Sequence, residues 1–186
     1  MRIAVSGTHC NGKSTLIDEF LSVHTNFAHE PEPYTVLVED FGEEFSEEPC
    51  VEDFYRQLEF NADRLRQYPP GKNVIYERCP IDFLAYIDAL DSNSVKRALG
   101  LVSEAIEHLE LIAYVPIGED IDAEFPKLRK AVDRRLSGVY SEDDFGIISS
   151  SNVAVVQVRG STAQRLSQLE EAIRYRTHSP VTPRKV

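Results

Sequence analysis

Apolar positions along the chain alternate between short continuous runs and helical spacing. Arg2-Ile3-Ala4-Val5-Ser6 predicts a buried strand, and after a glycine-containing turn Leu16, Ile17, Phe20 and Leu21 recur three and four apart, predicting a helix. Asn26-Phe27-Ala28-His29 predicts a short second strand. It stops at Glu30-Pro31-Glu32-Pro33, where each proline lacks an amide donor and forces its predecessor toward an extended conformation. From Tyr34 the spacing of Leu37, Val38, Phe41 and Phe45 predicts one helix. From Val51 that of Phe54, Tyr55, Leu58, Ala62 and Leu65 predicts another, ended by Pro69-Pro70-Gly71. Asn73-Val74-Ile75-Tyr76 predicts a third strand, and Ile81, Phe83, Leu84, Tyr86, Ile87 and Leu90 a helix with Pro80 in its first turn. A helix over 95–108, strands over 109–115 and 153–158, and a helix over 162–174 complete the pattern. Strands alternating with helices imply crossover connections, hence an α/β fold whose parallel sheet is covered on both faces.

Composition narrows the partners. The 186 residues are 42% hydrophobic and 27% charged, as expected of a single globular domain over 1–186 that needs no disulfide or structural metal. No apolar run approaches the roughly 20 residues of a bilayer span, so no membrane partner is expected. A net charge of −11 repels a phosphate backbone, which disfavours nucleic acid and leaves small molecules as the expected substrates. Cys10, Cys50 and Cys79 have neither Cys-x-x-C nor Cys/His spacing, so no disulfide framework or zinc site is indicated. The first apolar run is too short for a signal peptide, and a cytoplasmic protein is expected.

The most specific chemical signal is Gly7-Thr8-His9-Cys10-Asn11-Gly12-Lys13-Ser14, which fits G-x-x-x-x-G-K-[ST] directly after a strand and at the start of a helix. Glycines permit the tight curve whose amides face the phosphates of ATP. Lys13 can reach the β- and γ-phosphates, Ser14 can ligate Mg²⁺, and Thr15 follows in the first helical turn. His9 has no partner spacing and reads as a solvent-facing residue of that loop. A carboxylate for the metal shell should end an apolar strand. Val36-Leu37-Val38-Glu39-Asp40 has helical spacing and reads as an acidic helix face, whereas Val74-Ile75-Tyr76-Glu77-Arg78 places an acid and a base at a strand end. A surface ion pair is the alternative for Glu77 and Arg78.

These residues together resemble the nucleoside and nucleotide kinase branch of P-loop proteins, and within it the small AAA-type ATPases related to the nicotinamide riboside kinase domain. The resemblance rests on the phosphate loop, on Glu30-Pro31 or Glu32-Pro33 after the second strand, and on Glu77-Arg78-Cys79-Pro80-Ile81-Asp82 after the third. It implies a three-layer αβα P-loop NTPase fold, a five-stranded sheet of order 2-3-1-4-5, a mobile lid, and transfer of the γ-phosphoryl of Mg-ATP to a small acceptor. By the same resemblance Glu30 or Glu32 is the general base, Glu77 supports the metal, Arg78 binds phosphate, and Gln57 reads the acceptor's base. A solvated helix position is the alternative for Gln57. Cys79 departs from the serine of deoxynucleoside kinases.

The charge-dense stretch 125–135 occupies the place of the lid, about 119–145, and nominates Arg129 and Arg134 as lid arginines, with a solvated helix face as the alternative. Arg165 follows the last strand, where such proteins hold adenine, although Ser161 or Thr162 as a helix N-cap explains that segment without a ligand. A second functional reading is an ATP-binding regulatory or scaffold module that switches a protein contact through the acidic block 39–53, against which stands a plain solvated surface. The basic residues from about 175 to 186 read as a loose tail or as a segment packed on that block.

Overall fold

The computed structural model describes residues 1–118 and 123–178. Its five strands, β1 (Arg2–Ser6), β2 (Ala28–Glu30), β3 (Val74–Glu77), β4 (Leu111–Tyr114) and β5 (Ala154–Gln157), form one parallel sheet in the order β2-β3-β1-β4-β5. The helices are α1 (Lys13–Val23), α2 (Pro33–Glu39), α3 (Val51–Gln67), α4 (Pro80–Leu90), α5 (Val95–Ile106), α6 (Pro126–Ser137), α7 (Ile147–Ser150) and α8 (Thr162–His178).

β1 is central, and its side chains alternate between two cores as the strand repeat requires. Ile3 and Val5 join Leu16, Ile17 and Phe20 of α1 and Leu169 of α8 on one face. Ala4 joins the other cluster, with Leu58 and Leu65 of α3, Leu84 of α4 and Val102 of α5. Both faces are covered, so the three-layer α/β architecture and the strand order are those expected, and the phosphate loop emerges at the carboxyl end of the middle strand.

One expectation is corrected and two are refined. The helix starting near Tyr34 ends at Glu39 rather than reaching Phe45. Gly42 takes φ +67°, and the amides of Gly42 and Glu43 turn back to the carbonyls of Val38 and Leu37, which closes the helix end. Phe41 and Phe45 owe their spacing to ring packing instead, on Phe60 and Tyr34 respectively. The charge-dense stretch is not polar all round: α6 buries Val132 and Leu136 in the cluster it shares with α4, followed by Val139 of a π-helical turn (Gly138–Glu142). Residues 119–122 of the expected lid lie outside the described residues. The expected loose tail begins inside α8, so 175–178 are helical, and 179–186 lie outside the described residues.

Candidate active site

The loop between β1 and α1 is shaped by two glycines. Gly7 takes φ +147° and a Cβ there would stand 2.5 Å from the Val115 carbonyl oxygen, while Gly12 at φ +74° starts α1. No side chain caps that helix terminus, so its amides face the loop as an anion would need. Lys13 is buried and its Nζ donates to the Thr8 carbonyl at 2.7 Å, across the loop. Burial, together with the positive charge of Arg78, lowers its pKa to about 8. Ser14 Oγ donates to Glu77 Oε1 at 2.8 Å, so a loop hydroxyl and the acid ending β3 form one pair of hard oxygen donors, the ligand chemistry of Mg²⁺. The described residues contain no cluster of three or more His, Cys, Asp or Glu side chains suited to a metal, so an ion at this pair would draw further ligands from phosphate and water. Cys10 and Thr15 are exposed on the loop's rim.

Asn11 ties the loop to three other elements. Its Nδ2 donates to the Val115 carbonyl at 2.9 Å, its Oδ1 accepts from Arg129 at 2.7 Å, and its carbonyl accepts from Arg165 Nη1 at 2.8 Å. Arg129 Nε also donates to the His9 carbonyl at 3.1 Å, and its side chain is buried. Arg134 is not brought here. It is exposed beside Lys130 and Asp133 around a separate surface cleft, since five helical positions turn a side chain by about 140° from Arg129. Arg165, Arg129 and Asn11 line a cavity of about 520 Å³ with Cys10, Gly118, Gly160 and Ser161. The resemblance implies an adenine contact for Arg165, which borders this cavity.

The two candidate bases part company. Glu30 ends β2 and accepts from Arg64 of α3 and from the Tyr68 hydroxyl, away from the loop. Glu32 pairs with Arg78, whose Nη1 also donates to the Gly7 carbonyl at 3.2 Å and whose guanidinium lies 5.3 Å from the Tyr86 ring centre. Burial opposes the charge on Glu32, but Arg78 and then Lys13 outweigh it and hold its carboxyl below the usual range. Burial likewise opposes Arg78, and Glu32 foremost keeps it charged.

Beyond the pair opens a second cavity of about 560 Å³, with Tyr34, Phe45, Phe54, Gln57 and Tyr86 among its walls. Gln57 is buried there and its Nε2 donates to the Asp53 carbonyl, so it is not a solvated helix position. His9 is also not solvent-facing. Its Nε2 donates to the Glu124 carbonyl at 2.7 Å, which leaves Nδ1 to accept from the Tyr86 hydroxyl at 2.8 Å. Burial lowers its pKa, and Arg78, Arg129 and Lys13 push the same way against the Glu124 carbonyl.

Asp82 carries no role in the sequence reading. Fully buried, its Oδ1 accepts from Ser6 Oγ at 3.0 Å and the Gly7 amide at 2.7 Å, and its Oδ2 accepts from the Cys79 amide at 2.8 Å. It therefore fixes the loop's first glycine and the start of α4 together. An acid three residues after Cys79 at the head of a helix was the available signal. Tyr140 completes this network by donating to Ser6 Oγ at 2.7 Å, and burial pushes the Cys79 thiol far up, making it a packing residue.

Known structures share this fold. NadR in complex with NR superposes with a TM-score of 0.70 at 18% identity over 99% of this chain, which spans 52% of the NadR chain. Thymidylate kinase from Ehrlichia chaffeensis gives 0.63 at 13% identity, covering 93% of this chain and 98% of the other. Deoxyadenosine kinase from M. mycoides gives 0.63 at 11%, covering 94% and 100%. At these identities the likeness shows the fold alone. A search of curated protein sequences finds no match. A family profile described as AAA domain matches residues 2–165, a span that runs from β1 through the phosphate loop to Arg165, and the chain belongs to that AAA domain family.

Proposed function

We propose that this protein is a small-molecule kinase that transfers the γ-phosphoryl of Mg-ATP to a nucleoside-, nucleotide- or riboside-like acceptor. The observation that carries the reading is the Glu32–Arg78 pair, set between the phosphate loop and a cavity of about 560 Å³, a size that suits a small ligand. NadR bound to NR, thymidylate kinase and deoxyadenosine kinase share the fold, which supports an acceptor from that range. This chain spans about half of NadR, so that protein's full activity is not carried over.

In this reading ATP lies along the loop, its adenine toward Arg165 and its phosphates against the α1 amides and Lys13. Ser14 and Glu77 would hold Mg²⁺, which neutralises phosphate charge when bound. Glu32 takes the proton of the acceptor hydroxyl as that oxygen bonds to the γ-phosphorus, and the bond to the bridging oxygen breaks to release ADP. Arg78 and Arg129 offset the charge spread over the transferring group, and α6 acts as the lid element that carries Arg129. Arg134 has no part in this arrangement. The interaction-module alternative is weakened because Glu43, Glu52 and Asp53 of the acidic block are engaged within the chain, by Arg56, Arg97 and the Ser46 amide.

The test is ADP formation by purified protein with Mg-ATP against nucleosides, nucleoside monophosphates and nicotinamide riboside, beside Lys13→Ala. An acceptor that raises turnover above that variant, with a phosphorylated product, supports the kinase. No acceptor-dependent turnover in the panel refutes it.

A further inference from the structure

The proposed reaction gives no part to the polar network beneath the phosphate loop. Tyr140 sits in the π-helical turn that follows α6 (Gly138–Glu142), a rare backbone form concentrated at functional sites. Its ring tilts against Tyr114 with centres 4.9 Å apart, and its hydroxyl donates to Ser6 Oγ at 2.7 Å. Burial pushes the pKa of that hydroxyl far up, so it stays a donor. Ser6 is fully buried and passes the contact on. Its Oγ donates to Asp82 Oδ1 at 3.0 Å, the same oxygen that accepts from the Gly7 amide at 2.7 Å. An unbroken run of hydrogen bonds thus joins the end of α6 to the first glycine of the loop.

The helix at the other end of that run is itself anchored. Asp133 accepts from the Tyr114 hydroxyl at 3.0 Å and from the Ile117 amide at 2.9 Å, Arg135 pairs with Asp88 of α4 at 2.8 Å, and Val132 and Leu136 are buried. The phosphate loop is therefore held against α6 at two places. Arg129 grips its crown, at the His9 carbonyl and Asn11, on the side of Arg165. Tyr140 reaches its entrance through Ser6. The entrance borders different chemistry, because the Gly7 carbonyl accepts from Arg78, and Arg78 pairs with Glu32. Apolar packing has no direction, whereas hydrogen bonds do, so the run from Tyr140 fixes where Gly7 stands.

Building on the kinase reading, we infer that Tyr140 is a positioning residue for phosphoryl transfer: through Ser6 and Asp82 it sets Gly7, and with it the Arg78 guanidinium, at the γ-phosphate end of the loop. It acts through the loop and holds no reacting atom itself. Removing its hydroxyl loosens the entrance and leaves the crown held by Arg129 and Asn11. A triphosphate therefore loses more affinity than a diphosphate, which does not reach the entrance.

The experiment is calorimetric titration of the full chain with Mg-AMP-PNP and with Mg-ADP, which needs no acceptor. Tyr140→Phe is expected to lower the preference for AMP-PNP over ADP by about threefold or more, the scale of one net hydrogen bond, while ADP affinity stays within about twofold. Ser6→Ala should do the same, and the double variant should add little, since both act along one path. Tyr114→Phe is the control: it removes a hydroxyl that holds α6 to β4 without reaching the loop, and should leave the preference unchanged. A preference unmoved by Tyr140→Phe, equal weakening of both nucleotides, or an equal drop in Tyr114→Phe overturns the inference and makes Tyr140 a packing residue. A wild-type chain that binds both nucleotides alike overturns it too. Failure of the kinase reading shows separately, as a wild-type chain that binds neither nucleotide or that binds them and yields no phosphorylated product.

Discussion

Two carboxylate–arginine pairs sit two residues apart in sequence and do different work. At the end of β2, Glu30 is gripped by Arg64 and Tyr68 beside the outer edge of the sheet. At the head of α2, Glu32 is gripped by Arg78 beside the phosphate loop. Arg64 and Arg78 are both almost fully buried, so burial of the cation does not tell the pairs apart. What differs is the company: Glu32 faces Lys13 and a cavity, Glu30 faces the hydroxyl of a structural tyrosine. In the proposed reaction, chemically alike pairs become a reacting pair or a clamp according to what lies on their open side.

The strongest way to break that contrast is on activity. Glu32→Gln should lower kcat by roughly 10²–10⁴-fold, the usual worth of a general base. Glu30→Gln should keep kcat within about threefold; comparable losses in both variants, measured by ADP release, would erase the distinction. Stability tests the clamp itself. Glu30→Ala leaves the Arg64 guanidinium buried without its partner, at a cost of about 3 kcal/mol, so thermal unfolding should fall by roughly 6–12 °C. An unchanged melting temperature would mean that Arg64 finds other partners.

Two smaller effects sharpen the comparison through pH. Lys13, lowered to about 8, is charged below that pH and neutral above it, so kcat/KM for ATP should decline as pH rises through about 8. A profile flat to pH 9.5 would place the lysine in a wetter site. His9 has a folded pKa below its unfolded one, so between them the unfolded chain holds the extra proton. Stability should therefore be full above about pH 6.5 and fall as pH drops below it. His9→Gln should flatten that slope in urea titrations run from pH 7 to 5, and a slope unaltered by the substitution would assign it to other groups.

How much was legible follows from how local each feature is. The phosphate loop is eight consecutive residues between a strand and a helix, so sequence and local geometry coincide. Strand order needed the resemblance, because alternation of elements says that a sheet is parallel but not which strands are neighbours. Glu30 and Glu32 were indistinguishable because the choice is made by Arg64 and Arg78, 34 and 46 residues away. Arg129 and Arg134 were likewise equal in a charge run, and only the buried stripe of Val132 and Leu136 sets which face of α6 turns to the loop. Phe41 and Phe45 fall at helical spacing but pack on Phe60 and Tyr34 instead, so a 3.6-residue repeat arises there without a helix.

Asn11 gives the loop a thermodynamic character of its own. One residue joins it to Val115, Arg129 and Arg165, so the backbone that would receive phosphates is already held by bonds within the chain. The entropy of fixing that backbone is thus met during folding rather than on association, where each newly ordered side chain would subtract about 0.5–1.5 kcal/mol. Nucleotide recognition here resembles filling a mould more than closing a hand, and slow amide exchange at residues 10–13 before nucleotide is added would be its signature.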